Sequence, residues 1–256
     1  MTAEAHIPSA LLRPFIKAYL IIESREELVN RVLPDTSLVI AFRFKGQVNY
    51  VTENNLEALP GSVISGLRKS VRLINYLDNS ATFLIRFKEA GAKAFFREPM
   101  HELFEESVSL DTFISGHELS LIEEQLAEAD NNLQRVAVIE AFLLSKLCNN
   151  NPDRLVAAAV QKIHSASGSI KIQELAKSLF ISHDAFEKRF RQTVGTSPKQ
   201  FASLIRMNSV ISNTGRESFS DKVFDAGYFD RSHFNKEFKL FTGQTPTDFF
   251  KAGLYW

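Results

Sequence analysis

A chain of 256 residues with 45% hydrophobic and 23% charged side chains can bury one large core or two ordinary ones, which excludes wholesale disorder. No apolar run approaches the ~18 residues of a membrane span, no signal-peptide pattern opens the chain, and the single cysteine, Cys148, excludes a disulfide framework or a multi-cysteine zinc site. The net charge of zero hides an asymmetry: residues 1–152 hold 15 Lys and Arg against 20 Asp and Glu (−5), and residues 153–256 hold 15 against 10 (+5). A soluble cytoplasmic protein is expected, with a modest hint of a polyanion partner on its C-terminal half.

Residues up to about 115 read as β-rich. In TSLVIAFRFKG, Leu38, Ile40, Phe42 and Phe44 share one face at period two, and ATFLIRFKEAG does the same with Phe83, Ile85 and Phe87. SVRLINYL is strand-like, and KGQ, ENN, LPGS and LDNS punctuate the runs, as in a sandwich or small barrel. Two amphipathic helices are expected over 118–148, with Leu119, Ile122 and Leu126 on the first stripe, Val136, Ile139 and Leu143 on the second, and a break at 129–132. They either cover the open side of the β-domain or supply a dimer surface. CNNNPD (148–153) marks the boundary, giving domains of 1–150 and 151–256.

The second domain reads as helices throughout. RLVAAAVQKIH places Leu155, Ala159 and Ile163 on one stripe, and IKIQELAKSLF ends in a tight turn at 180–182, with Ser182 the N-cap of the next helix. That helix belongs to a device written twice. FEKRFRQTVGTSP (186–198) recurs 48 residues later as FNKEFKLFTGQTP (234–246). Phe186 and Phe190, like Phe234 and Phe238, stand at i and i+4 and point the same way. Gly195 and Gly243 suit left-handed helix stops, and Ser197-Pro198 and Thr245-Pro246 give N-cap plus first-turn proline. Gln200 completes a capping-box pattern with Ser197, and Phe201 matches Phe249. Short helix, tight turn and a second helix with a polar outer face is the helix-turn-helix plan. PKQFASLIRMNSVISN, with Phe201, Leu204, Ile205 and Ile211, is a connector that fixes two such units. Two recognition helices about 34 Å apart read adjacent major grooves of one duplex.

On these residues, about 154 to 250 resemble the DNA-binding domain of the AraC-type (arabinose-operon regulator) family of bacterial transcription factors. GYFDRSHFNKEFKLFTGQTPTDFF carries the sharper mark, and IRFKEAGAKAFFREPMHELFEESVSLD with RVAVIEAFLLSKL more loosely resembles the N-terminal region of one subgroup. The resemblance implies an α+β chain. A β-rich, cupin-like barrel domain with trailing helices precedes an all-α domain of two helix-turn-helix units joined by a connecting helix. It also implies duplex DNA as partner, base contacts from Asp184, Glu187 and Lys188 in the first recognition helix, and from Arg231, Ser232, Asn235 and Lys236 in the second. Arg231 suits bidentate bonding to guanine, and Asn235 suits adenine or a phosphate. Ser182, His183 and Arg191, together with Arg189, flank the first helix as phosphate-facing or solvent-facing groups. A small-molecule effector, a homodimer and contact with RNA polymerase are further implied partners. Val210 stands where a small alanine is usual, Asn213 and Thr214 replace a leucine pair, Lys222 takes an apolar position, and Phe250 takes that of an arginine.

Chemistry is not written here. HELFE (101–105) has Glu105 where a zinc helix needs its second histidine, no His-x-His pair occurs, and neither a phosphate-cradling glycine loop nor a nucleophile elbow appears. Cys148 reads as a buried or bystander thiol. Twelve of the 22 phenylalanines lie at or beyond residue 153, and their helical spacing points to core packing rather than base stacking. The expectation is a regulator without enzymatic activity, metal or cofactor. The alternative is a ligand-binding or protein-interaction protein with a degenerate DNA-binding domain, motivated by the acidic Asp184 and Glu187.

Overall fold

The computed structural model describes residues 1–52, 55–148, 152–212 and 231–252. Asn213, Thr214, Lys222 and the GYFD stretch lie outside them, and so does the first helix expected of the second unit. Ten strands come first: β1 Thr2–His6, β2 Ile16–Ser24, β3 Leu28–Val32, β4 Val39–Lys45, β5 Val48–Val51, β6 Leu56–Ala58, β7 Ser62–Ser65, β8 Arg72–Tyr76, β9 Ser80–Phe87 and β10 Ser107–Ser109. They form two antiparallel sheets, ordered β1-β2-β9-β4-β7-β10 and β3-β8-β5-β6. The β-rich expectation therefore takes the form of two sheets that face one another.

Register explains the layering. Phe83 pairs with Ile21 and Phe42, and Ile85 pairs with Tyr19 and Ile40, so alternate residues of three central strands make one fully buried face. Each such side chain contributes about 1.5–3 kcal/mol of burial. The face is covered by α1 (Gly116–Glu128) and α2 (Asn132–Lys146), with the Phe142 ring edge-on to Phe42 at 6.1 Å. Of the two roles the sequence left open for these helices, covering the sheet is the one these contacts fill. Ser115 and Asn131 cap them, accepting from the Glu118 and Gln134 amides at 3.3 and 3.0 Å. Arg135 closes the turn between them by donating to the carbonyls of Leu126 and Ala129, while its guanidinium lies 4.4 Å from the Phe44 ring centre. On the opposite face Ile22 and Leu84 meet Val48, Ile74 and Tyr76 of the smaller sheet.

The helices that follow are α3 (Arg154–Ser165), α4 (Ile172–Ser178), α5 (His183–Val194), α6 (Pro198–Ser212), α7 (Arg231–Thr242) and α8 (Pro246–Ala252). Among the described residues no helix is long and apolar enough to cross a membrane. The Asp153 carboxylate caps α3 through the Leu155 and Val156 amides, both at 3.1 Å. The buried stripe of α3 is Val156, Ala159 and Ile163; Leu155, expected there, is only partly buried beside it. One apolar cluster runs from Leu12 to Phe249, so the β-rich and helical parts share a core. Polar ties join them too: the Val71 amide to the Leu240 carbonyl (3.3 Å) and Asn208 Nδ2 to the Pro34 carbonyl (3.4 Å). Cys148 itself is exposed, not buried.

His164 Nε2 of α3 stands 3.1 Å from Glu89 Oε1, which also accepts from the Thr36 hydroxyl at 2.8 Å. Burial pushes this carboxyl up, but the hydrogen bonds from His164 and Thr36 outweigh it and bring it down from its ordinary 4.5 to about 2. A carboxyl held below its unfolded value stabilises the fold above that value, and the contribution fades as pH falls through the folded one. Glu89→Gln is expected to lower Tm by several degrees at pH 7, at roughly 2–4 °C per kcal/mol for a chain of this size. In calorimetric scans the gap from the parent should close as pH drops from 4.5 towards 2.

Phe180, in the turn between α4 and α5, is 98% exposed and holds φ at +56°. A left-handed backbone costs an ordinary residue about 1–2 kcal/mol, and glycine almost nothing. The sequence-based assignment of the C-terminal phenylalanines to the core fails at this ring. Phe180→Gly should raise Tm by about 2–4 °C, measured by the same scans.

Candidate nucleic-acid interface

The first unit is α4, the turn at Phe180 and α5. The Ser182 hydroxyl accepts from the Ala185 amide at 3.4 Å and opens α5. Phe186, Phe190 and Val194 are spaced by four and buried, and the two rings meet at 5.6 Å. Phe190 in turn meets Phe201 of α6 edge-on at 5.5 Å. Gly195 stops α5 at φ +100°, its amide bonded to the Arg191 carbonyl at 3.0 Å. Ser197 then accepts from the Gln200 amide at 3.1 Å, and α6 begins on Pro198.

The second copy repeats this geometry. Phe234 and Phe238 stand 5.5 Å apart in α7, and Phe238 meets Phe249 of α8 at 5.4 Å. Gly243 holds φ at +77° with its amide on the Lys239 carbonyl, and the Thr245 hydroxyl accepts from the Asp248 amide at 3.3 Å. Phe250, unexpected where an arginine is usual, adds a third ring, 5.3 Å from Phe249 and 5.7 Å from Phe238. Helix α6 carries the expected buried Phe201, Leu204, Ile205 and Ile211, and accommodates the bulkier Val210 in its core face. It is tied to α7 by a hydrogen bond from the Ser203 hydroxyl to the Glu237 carboxylate.

With the rings turned inward, the outward row of each helix is set. It is opened in the first turn by His183 and Arg231, which stand three residues before a buried phenylalanine and so beside its stripe rather than opposite it. On α5 it holds His183, Asp184, Glu187, Lys188 and Arg191, of which Glu187 is half-buried and the others exposed. On α7 it holds Arg231, Ser232, Asn235, Lys236 and Lys239, all exposed. Every member of one row is 48 residues from its counterpart in the other. Lys239 was not among the residues picked from the sequence, although the same offset from Arg191 points to it. The rows differ in charge: two acids and two bases cancel on α5, whereas α7 carries three cations and no acid. Asp184 and His183 lie 3.4 Å apart within the first row. Arg189, expected near phosphates or solvent, is instead forked onto Asp153 (Nε to Oδ2 2.6 Å, Nη2 to Oδ1 3.0 Å) and anchors α5 to the start of α3.

A family model described as a helix-turn-helix domain matches residues 175–252, and one described as a domain of unknown function (DUF6597) matches residues 4–109. The chain is 27% identical over 155 residues to the Msm operon regulatory protein of Streptococcus mutans serotype c. That match covers 59% of this chain and 55% of the relative, so the chain spans about half the length of the curated protein it matches. Among solved structures it is similar to ToxT from Vibrio cholerae (10% identity, TM-score 0.46, covering 97% of this chain and 98% of that one). It is likewise similar to ToxT from V. cholerae strain SCE256 bound to an unsaturated fatty acid (13% identity, TM-score 0.44, 90% and 93% covered). The AraC-like transcriptional activator CuxR gives 11% identity and a TM-score of 0.26, with 83% and 87% covered. The glycine stops and the repeated ring contacts fall within the matched segment, and this chain carries a helix-turn-helix domain over residues 175–252.

Proposed function

We propose that the chain is a sequence-specific, DNA-binding transcription regulator and not an enzyme, with residues 151–256 reading DNA and residues 1–150 sensing an effector or mediating association. One observation carries the reading: two outward rows at identical helical offsets, each backed by a buried phenylalanine pair and both joined to the connector α6. In this reading Asp184, Glu187 and Lys188 on α5, and Arg231, Ser232, Asn235 and Lys236 on α7, face base edges in successive major grooves. Ser182, His183, Arg191 and Lys239 lie at the flanks and suit phosphates.

The charge difference between the rows divides the labour. Three cations on α7 favour the phosphate backbone, so the second unit supplies most of the salt-dependent affinity. The neutral row on α5 adds discrimination, since Asp184 and Glu187 accept only from donors such as cytosine N4 and are repelled elsewhere.

Selection of bound duplexes from a random pool with the full chain should enrich one asymmetric motif. No enrichment would favour a ligand-binding or protein-interaction protein whose DNA domain has degenerated. On the selected duplex, Arg231→Ala should cost about 1–3 kcal/mol and relax preference at a single base pair, read by competition binding. Lys239→Ala should weaken all sequences alike and reduce the slope of log K against log salt by about 1, read by titration between 50 and 200 mM salt.

A further inference from the structure

Residues 66–71 link β7 of the larger sheet to β8 of the smaller one, and they bring Arg68 to the start of β8, where Arg72 stands. The Arg68 Nη2 reaches only the Val32 carbonyl, at 3.4 Å, and Val32 is the β3 residue paired with Arg72 across the ladder. The buried Arg68 Nε meets no hydrogen-bond acceptor among the described residues. Arg72 is held rigidly. Its Nη1 donates to the Tyr50 hydroxyl (2.8 Å) and the Ser107 hydroxyl (2.5 Å), its Nη2 to the Glu105 carbonyl (2.5 Å), and its guanidinium carbon lies 5.0 Å from the Tyr50 ring centre.

Neither arginine has a carboxylate within ion-pair distance among the described residues. The nearby acids are committed elsewhere: Asp35 to Arg86 and Lys17, and Glu105 to Lys69. Two half-buried guanidinium groups thus lie within reach of each other's charge, and burial followed by the Arg72 charge brings Arg68 down to about 10 against the smaller opposing pull of Tyr50 and Asp35. An unpaired cation next to another is costly in a fold that has no use for it. Both residues remain partly exposed.

The same segment touches both helix-turn-helix units. A β-carbon at Gly195, the stop of α5, would lie 3.6 Å from Leu67 and 3.2 Å from the Met100 carbonyl; one at Gly243, the stop of α7, would lie 3.1 Å from Val71. The Val71 amide bonds the Leu240 carbonyl near the end of α7. Gly66 is pressed against Leu103, leaving no room for a β-carbon, and its amide bonds the Glu106 carbonyl while the Leu67 carbonyl accepts from Glu105. The linker therefore has little slack: a shift at Arg68 is passed to Leu67 and Val71.

We propose that Arg68 and Arg72 bind the oxyanion of a small carboxylate- or phosphate-bearing molecule, and that segment 66–71 transmits its occupancy to the terminal turns of both outward-facing helices. Paired guanidinium forks match the planar or tetrahedral oxygens of such groups. The proposal deepens the effector role assigned above to residues 1–150; the anion site itself does not depend on the chain binding DNA.

Calorimetric titration of the full chain with inorganic phosphate and, separately, with acetate tests the site and separates the two sources. At least one should saturate with a millimolar or tighter Kd, weakened tenfold or more by Arg68→Gln. No saturation by either anion, or equal binding by the variant, overturns the site. A structural arginine gives a different signature: Arg68→Met should raise Tm in anion-free buffer if the charge is kept for a ligand, and a lowered Tm assigns Arg68 to the fold and overturns the proposal. Transmission is read by backbone hydrogen exchange at residues 240–243, expected to change at least threefold on anion addition in the parent and not in Arg68→Gln. Unchanged exchange in the parent overturns the transmission. A failed DNA selection alongside positive titrations and exchange would sink the regulator reading alone.

Discussion

The rest of the helical part depends on one contact made twice, the edge-on meeting of a recognition-helix phenylalanine with a ring on the helix that follows it: Phe190 with Phe201, and Phe238 with Phe249. Each ring is worth about 1.5–3 kcal/mol in burial and the edge contact about 0.5–1.5 more. The rotation of α5 and α7 about their own axes is thereby fixed, because turning either helix by one residue would carry two phenylalanines into water. A glycine in the left-handed region lets the chain reverse within three residues and bring the second ring back onto the first. The outward rows are a consequence: at 100° per residue, positions one and two beyond a buried phenylalanine face away from it.

Identical scaffolds then carry different side chains. At matching offsets the first copy has Asp184 and Glu187 where the second has Ser232 and Asn235, so charge is removed from one row without disturbing its support. Duplication frees the copies to diverge on the face that packing does not use, while the face it does use stays constant to within 0.1 Å in ring separation (5.6 and 5.5 Å in one, 5.5 and 5.4 Å in the other). Arg189 shows the limit of reading charge from sequence. It looks available on a helix drawing, but the Asp153 carboxylate that starts α3 claims it.

What was legible in the sequence was local. Period two in ATFLIRFKEAG, period 3.6 in LIEEQLAEA, serine and threonine caps and glycine stops each have a cause within a few residues, and the structure places them accordingly. Long-range matters were not legible. Nothing in LPGSVISGLRKSV says that Gly66 abuts Leu103, that Leu67 and Val71 reach two glycines more than a hundred residues on, or that Arg68 will find no carboxylate. Phe180 was placed in its turn by the sequence, but the assignment of the C-terminal phenylalanines to the core fails there, because a turn residue has no stripe to carry its ring inward. Lys239 was missed for a different reason: the 48-residue repeat aligned the two scaffolds, but the site residues followed the family resemblance and Arg191 was not carried across to its counterpart.

The shared core bears on how the two parts work together. Were residues 1–150 merely tethered to the rest, binding there could not alter the geometry of α5 and α7. Instead the ends of both helices rest on one six-residue linker, and that linker joins two sheets whose separation any ligand between them would change. Its bonds to Glu105 and Glu106 on one side and to Leu240 on the other are few, and the last, at 3.3 Å, is the longest of them. Under the proposed anion site, occupancy would be felt at the helices only through a contact weak enough to break within the few kcal/mol that binding supplies. The phenylalanine pairs are far too strong to serve. The Val71–Leu240 contact is of the right strength, and it lies at the end of α7, the helix with the greater positive charge.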